Sequence, residues 1–215
     1  MPAYNFRNAI NNSHQDKFVL NIGILIFNDI ELLDFAGPFE VFSVTNALNK
    51  YDLCNTFTVA EKRLEIKTVN GLKVNPDFDI MNCPKIDILI IPGGTGTRNL
   101  LENDTILNWI KNSYEISQFT FTVCSGSRLL GKIGLINNIK YTTHHEVFED
   151  MIKIAPKALL IKNERFIDSG KILSSAGISA GIDLSLYMVE KLFGNKIMEQ
   201  TKTYMEYGNW KNLIK

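Results

Sequence analysis

Short apolar runs alternate along the chain with longer segments of helical period, and this alternation constrains the fold more than any other feature. Three of these runs, at residues 21–27, 86–91 and 119–123, are dominated by apolar side chains. Continuous apolar runs are typical of strands that are buried on both faces between layers of helices. The pattern therefore predicts an α/β fold with a mostly parallel central sheet.

Turn residues and periodicity predict the remaining elements. Further strands are predicted at residues 56–61, 64–69, 72–74, 159–161 and 171–174. Asn70-Gly71 predicts a tight turn between the second and third of these strands. Helices are predicted at residues 38–48, 100–117, 180–193 and 196–207, with another directly after Cys124. Pro38 supports the start of the helix at residues 38–48. Gly194 supports the end of the helix at residues 180–193.

The length of 215 residues suits one large domain or two small ones. We predict a single domain over residues 21–210, because the chain contains no internal repeat, low-complexity tract or linker-like segment. Residues 1–17 are polar and rich in Asn, so we expect residues 1–20 to form either a flexible leader or an arm on a dimer partner. They contain no apolar stretch that could serve as a signal peptide or a membrane span.

Charge and cysteine content exclude several classes of function. Lys plus Arg and Asp plus Glu number 23 each, so the formal net charge is zero. A general basic field for nucleic acid or an anionic membrane is absent, and neither is an expected partner. The three cysteines form no C-x-x-C pair, which argues against a disulfide framework and a zinc ribbon. A reducing, cytoplasmic location is expected, with Cys54 and Cys83 as packing residues.

The strongest chemical signal lies in Val123-Cys124-Ser125-Gly126, where an apolar strand gives way directly to small residues and then to a helix. Small residues permit a sharp turn, and the N–H groups of a following helix lower the pKa of a cysteine. Thr122 stands where the hydrolase form of this turn has glycine. Cys124 is therefore either a nucleophile on an elbow or a buried thiol at a strand end, and the local pattern does not separate the two.

Two further segments are predicted to reach the same edge of the sheet. Gly93 and Gly94 follow a buried strand, where glycines either bring backbone N–H groups close to a ligand or make a simple turn. Asp34 follows the first strand on its carboxyl side, where open parallel sheets bind ligands. Partial burial raises the pKa of a carboxyl group, so Asp34 is a candidate acid or base. Glu40 is explained more simply as an acid in the first turn of a helix.

Basic side chains near these segments have simpler explanations. His144 and His145 lie in a loop before a helix, and neighbouring side chains on an extended segment face opposite ways. At most one of them is expected to point into a site, and a capping role is the simpler interpretation. With His14, the three histidines match no metal-site spacing. Arg128 either pairs with an acid near the site or is solvated, and we favour a solvated side chain.

Taken together, these segments resemble the ThiJ/PfpI superfamily. That superfamily has, in the same order, counterparts of Ile91-Pro92-Gly93-Gly94, the Cys124 elbow, Thr142-Thr143-His144 and Ala176-Gly177-Ile178-Ser179-Ala180-Gly181-Ile182-Asp183. The match runs from about Asn21 to Tyr207. Two features resemble the isonitrile hydratase branch: a hydroxyl residue rather than His after the cysteine, and the segment Leu33-Asp34-Phe35-Ala36-Gly37-Pro38-Phe39-Glu40-Val41-Phe42.

The resemblance implies a flavodoxin-like three-layer sandwich, usually a homodimer, with the cysteine on a strained nucleophile elbow. It implies that Cys124 is the nucleophile and Asp34 its acid/base partner, while Ser125 stands where the branch commonly has threonine. The other implied site residues are Gly93 and Gly94, as backbone donors near the thiol, and His144 close by. The implied reaction is hydration of a small isonitrile to an N-substituted formamide, without a metal or organic cofactor.

Other functions stay open. Related proteins hydrolyse peptides or amides, but the peptidase-like members carry His directly after the cysteine, where this chain has Ser125. Others rearrange glyoxals, and these are expected to have Glu in place of Asp34. AraC-type regulators contain a similar domain followed by a helix-turn-helix unit. Because this chain stops at Lys215, the corresponding expectation is a ligand- or redox-sensing module without that unit, acting through oxidation of Cys124.

Overall fold

The computed structural model describes residues 19–208, and within them the chain alternates strands and helices. The strands are β1 Leu20–Leu25, β2 Cys54–Ala60, β3 Ile66–Lys67, β4 Lys73–Val74, β5 Phe78–Asp79, β6 Ile88–Ile91, β7 Phe119–Thr122, β8 Lys140–Tyr141, β9 Leu159–Leu160, β10 Phe166–Asp168 and β11 Ile172–Ser175. The helices are α1 Leu32–Leu48, α2 Thr97–Leu100, α3 Asp104–Ile116, α4 Ser127–Lys132, α5 Phe148–Ile154, α6 Ala180–Phe193 and α7 Asn195–Tyr204.

The main sheet has seven strands in the order β10-β11-β7-β6-β1-β2-β5. All neighbouring pairs are parallel except β10 and β11. Every residue of β6 is buried, and so is every residue of β1 except Asn21. This burial on both faces explains the continuous apolar runs and confirms the predicted, mostly parallel sheet.

Helices cover the two faces of the sheet in two groups. Helices α1, α6 and α7 contact one another, while α2 contacts α3 and α4, and α4 contacts α5. The result is the flavodoxin-like three-layer sandwich that the resemblance implied. No helix within residues 19–208 is both long and apolar enough to cross a membrane.

Several element boundaries differ from the sequence predictions. Helix α1 begins at Leu32, six residues before the predicted start, so Pro38 lies inside it. The helix predicted at 100–117 begins four residues later, as α3 at Asp104, because the Asn103 side chain accepts a hydrogen bond from the Ile106 N–H (3.1 Å) and caps it. The short helix α2 before it was not predicted. The short strands β5, β8 and β10 were not predicted. Residues 1–18 of the predicted leader lie outside the described residues, and its last residue, 20, begins β1.

The order of the strands determines where in the sheet the candidate site lies. β1 pairs with β2 on one side and with β6 on the other, so the chain reverses its direction of winding between β1 and β6. In open parallel sheets such a reversal leaves a crevice at the carboxyl ends of the two strands, where ligands bind. The segments that follow β1, β6 and β7 all reach this edge, and they carry Asp34, Gly93 and Cys124.

Candidate active site

Cys124 lies on a sharp turn between β7 and α4. Its φ of +56° is in the left-handed region, which is strained for a residue with a Cβ atom. Two hydrogen bonds hold this conformation: the Cys124 N–H donates to Ala176 O (3.1 Å), and Thr143 Oγ1 donates to Cys124 O (2.7 Å). A single turn of 3-10 helix then leads into α4. The predicted nucleophile elbow is confirmed as a backbone feature.

Asp34 lies beside this elbow, in the first turn of α1 rather than in a loop before the helix. Its side chain is 0% exposed, and Oδ2 accepts a hydrogen bond from the Gly93 N–H at 2.9 Å. The other oxygen, Oδ1, has no hydrogen-bond partner among the described residues. Burial raises the pKa of Asp34 to about 7, although the Gly93 N–H and the Cys124 thiol both act to lower it.

The predicted low pKa of Cys124 is wrong. Burial, and then the negative charge of Asp34, raise the pKa of the thiol to about 12. The backbone N–H groups of Ser125 and Ile178 donate to the sulfur and offset only part of this effect. Cys124 is 7% exposed and its charged neighbour is an acid, so desolvation and repulsion outweigh the influence of the six-residue helix that follows.

The two glycines lie at the site as predicted, but their N–H groups are used differently. The Gly93 N–H donates to Asp34, and the Gly94 N–H donates to Ser125 Oγ (2.9 Å). The expected backbone donors near the thiol are thus already engaged by Asp34 and Ser125. A Cβ atom on Gly93 would lie 2.5 Å from Ser125 N and 2.8 Å from Asp34 Oδ2, so only glycine lets the side chains of Asp34 and Ser125 converge.

Ile178 is a site residue that the sequence did not single out. It has φ +44° and directs its N–H at the Cys124 sulfur. A β-branched residue rarely adopts this conformation, so the turn between β11 and α6 must hold it there. The residue lies within the segment that carried the family resemblance, yet its contribution comes from its backbone. An isoleucine side chain gives no signal of this kind.

His144 is half-buried and packs against Gly177, next to Ile178. Its Nδ1 accepts from the Glu146 N–H (3.3 Å), which is the capping role that sequence reasoning favoured. The ring centroids of His144 and His145 are 4.3 Å apart, so the expectation that the two side chains face opposite ways is wrong. The cause is that the chain enters a 3-10 helix at His145 and is not extended there.

Arg128 is 3% exposed, so the predicted solvated side chain is wrong. It pairs with Asp150 on α5 and also binds Thr97 on α2.

Cys54 and Cys83 form no disulfide and pack against the core, as predicted. Within residues 19–208, no three His, Cys, Asp or Glu side chains are grouped so that they could hold a metal ion.

Fold and site together define a class: α/β proteins in which a cysteine on a nucleophile elbow meets a carboxyl group at the carboxyl edge of a parallel sheet. Residues 21–191 match the DJ-1/PfpI family, and the chain belongs to that family. This membership confirms the superfamily that the sequence segments indicated.

Individual relatives differ in what they are named for. An isonitrile hydratase of Pseudomonas putida is 28% identical over 189 residues, which cover 88% of this chain and 79% of the relative. The HTH-type transcriptional regulator GbdR of Pseudomonas aeruginosa is 22% identical over 198 residues, covering 92% of this chain but only 53% of the regulator. The chain thus spans about half the length of that regulator. The crystal structure of a ThiJ/PfpI family protein from Pseudomonas syringae matches this chain with a TM-score of 0.79 at 22% identity. The match covers 94% of this chain and 83% of that protein, and it supports the fold.

Proposed function

We propose that the protein hydrates a small isonitrile to an N-substituted formamide, with Cys124 as nucleophile and Asp34 as acid and base. One observation carries the proposal: a wholly buried carboxyl group lies against a nearly buried thiol. The groups that act on that thiol are the carboxyl group of Asp34 and the backbone N–H groups of Ser125 and Ile178. The similarity to the isonitrile hydratase of Pseudomonas putida supports the same reaction.

Access to the sulfur favours a slim substrate. An isonitrile ends in a single carbon atom on a linear group, so its reactive end can pass through a narrow opening. A peptide carbonyl carries substituents on both sides, and it could approach the sulfur of Cys124, a residue that is 7% exposed, only after the site had opened. The buried thiol thus favours hydration over proteolysis, in agreement with Ser125 standing where a peptidase-like protein has histidine.

Cys124 and Asp34 form a pair whose protonation suits this chemistry. Because the pKa of Asp34 is about 7 and that of Cys124 about 12, the two groups together hold one proton between these pH values. Movement of this proton from sulfur to Asp34 gives a thiolate and a carboxylic acid in the same site. The step transfers a charge between buried groups without creating a new one.

The reaction then runs in two stages. The thiolate attacks the terminal carbon, forming a C–S bond, and Asp34 delivers its proton to that carbon to give a thioimidate. Water then attacks the same carbon while Asp34 takes one of its protons and passes it to nitrogen. Finally the C–S bond breaks, Asp34 takes the hydroxyl proton, and the formamide leaves with the pair restored. Ser125 Oγ donates to Gly94 O (3.2 Å), so its contribution is to accept a hydrogen bond from the attacking water.

The test is direct. Purified protein is mixed with a small alkyl or aryl isonitrile, and formamide is measured by chromatography. We expect product from the wild type and from Cys83→Ala, a matched control for the loss of a thiol, and none above background from Cys124→Ala. Absence of formamide from the wild type would reject the reaction and leave the fold untouched.

A ligand- or redox-sensing module is the second candidate, favoured by the similarity to GbdR over 92% of this chain. In that case the protein would bind a small molecule or accept oxidation at Cys124 without turnover. Mass spectrometry after mild peroxide treatment, combined with the isonitrile assay, separates the two candidates. Oxidation at Cys124 without any formamide supports the sensor, whereas turnover supports the enzyme.

We also propose that the protein acts as a homodimer, because the family resemblance implies one. The side chains of Leu33 and Ile178, close to the site, are 37% and 38% exposed, and a second copy would remove such apolar surface from water. Light scattering on the full chain should give twice the mass of 24.4 kDa. A monomer at micromolar concentration would contradict this assembly.

A further inference from the structure

Arg128 is an almost fully buried cation close to the candidate site, and such a group needs partners. Its Nη2 pairs with Asp150, whose carboxyl group is 38% exposed, and its Nη1 donates to Thr97 Oγ1 at 3.1 Å. Its Nε has no hydrogen-bond partner among the described residues. The guanidinium is therefore held between a surface carboxylate and one buried hydroxyl group.

Thr97 connects Arg128 to the candidate site through a second hydrogen bond. A hydroxyl group has one hydrogen to donate. Since Arg128 is a donor only, it occupies the acceptor side of Thr97 Oγ1, and the hydroxyl hydrogen goes to Gly94 O at 2.7 Å. Gly94 in turn donates its N–H to Ser125 Oγ. Ser125 Oγ also donates to Gly94 O at 3.2 Å, so hydrogen bonds that meet at Gly94 link Asp150, on α5, to the residue that follows the cysteine.

The geometry points to Arg128 as a positioning residue: through Thr97 it fixes the Gly93-Gly94 turn, and this turn holds Asp34 and Ser125 in place. Arg128 itself contacts neither the thiol nor the carboxyl group of the site. Its consequence for turnover rests on the proposed function, but its consequence for the geometry of the turn does not.

A change in the Gly93-Gly94 turn would alter the pKa of Asp34. The Gly93 N–H lowers the pKa of that carboxyl group, so a looser turn should move this pKa upward. The other groups that act on Asp34 are the Cys124 thiol and the carboxylate of Glu31, which precedes α1. Neither is altered when the Thr97 hydroxyl is removed, so an upward movement reports on the turn.

Thr97→Val removes the hydroxyl at nearly constant volume, and Thr97→Ser retains it. Thr95→Val is the matched control, since it makes the same change at an exposed position in the same loop. The first readout is the rate at which iodoacetamide alkylates Cys124 in the full chain, followed by peptide mass spectrometry between pH 5 and 9. This rate should rise with pH and level off as the pair loses its first proton. The second readout is kcat and KM for formamide formation.

We expect the inflection of the alkylation profile to move to higher pH in Thr97→Val, with kcat lowered roughly tenfold to a hundredfold by misplacement of the acid, and with KM little changed. Thr97→Ser and Thr95→Val should behave as the wild type. A folded Thr97→Val with the wild-type inflection overturns the inference, whether or not an isonitrile reacts. If the inflection moves but the wild type makes no formamide, the reaction fails and the positioning role stands.

Asp150→Asn tests the same chain of contacts from its outer end, and it covers the case in which Thr97→Val does not fold. Its site is partly exposed, so the variant should fold, and it weakens the charge that holds Arg128. We expect the inflection to move in the same direction by a smaller amount. A folded Asp150→Asn with an unmoved inflection counts against the inference.

Discussion

Cys54 and Cys124 lie at opposite ends of the sheet, and burial raises the pKa of both thiols to about 12. Cys54 begins β2, donates to Phe42 O (3.6 Å) and has the Thr56 hydroxyl as its other polar neighbour. Cys124 sits on a strained turn between two backbone donors and a buried carboxyl group. An upward displacement of the thiol pKa thus accompanies two different environments, and the neighbouring groups, not the pKa, distinguish a reactive site from core packing.

The largest effect is expected from Asp34→Asn, which would make the surroundings of Cys124 resemble those of Cys54. Loss of the acid and base should lower the rate of formamide formation by roughly 10²–10⁴-fold. A rate within a factor of two of the wild type would show that Asp34 is not the proton carrier.

The same variant should be more stable than the wild type at pH 8. The pKa of Asp34 rises from 3.8 to about 7 on folding, so its favourable contribution is complete below pH 4 and is lost as the pH rises through 7. An asparagine side chain cannot ionise, so the variant avoids this loss, which amounts to at most about 4 kcal/mol. Urea unfolding at pH 5 and pH 8 measures the difference, and it should be larger at pH 8.

Gly93→Ala should disturb Cys124 and its neighbours while leaving Cys54 untouched. The added Cβ would meet Ser125 Oγ at 2.7 Å and Asp34 Oδ2 at 2.8 Å. We expect a rate lowered by roughly a hundredfold and an unfolding free energy lowered by about 1–3 kcal/mol. Gly170→Ala is the control: it strains a turn with φ +92° where no neighbour lies within 4 Å of the added atom. It should lose stability and keep its rate.

The pH dependence of turnover sharpens the comparison, because Cys54 has no carboxyl partner that titrates near neutrality. Below pH 7 both Cys124 and Asp34 hold a proton, and no base is present to form the thiolate. The value of kcat/KM should therefore fall about tenfold for each pH unit below 7 and stay level above it. A profile that is flat from pH 5.5 to 8 would contradict the shared-proton pair.

The smallest effect on activity is expected from Cys54→Ala. Truncation of this buried side chain should lower the unfolding free energy by about 1–2 kcal/mol, since the space it leaves is only partly refilled. Formamide formation should not change. A loss of activity larger than threefold in the folded variant would show that the two ends of the sheet are coupled, and the comparison would then fail.

Much of the fold could be predicted from the sequence, since strands buried on both faces must be apolar throughout. Residues 21–27, 86–91 and 119–123 overlap β1, β6 and β7 of the structure. Boundaries were less accurate where a local signal had two explanations. Pro38 suits the first turn of a helix but is tolerated inside α1, and Asn103 caps a helix within a segment whose period looked continuous.

The sequence by itself determined which segments meet at the carboxyl edge of the sheet, because buried strands and the small residues that follow them are marked by local patterns. The local pattern around Cys124 left an elbow and a buried strand end as alternatives, and the resemblance to the family favoured the elbow. Only the tertiary structure decided the electrostatics: the thiol pKa is raised because Asp34 and burial act together, and Gly93 donates to Asp34 rather than facing the thiol. Arg128 is buried because Asp150 and Thr97, both distant in sequence, supply its partners. Solvation and backbone hydrogen bonding depend on neighbours in space, which no window of sequence contains.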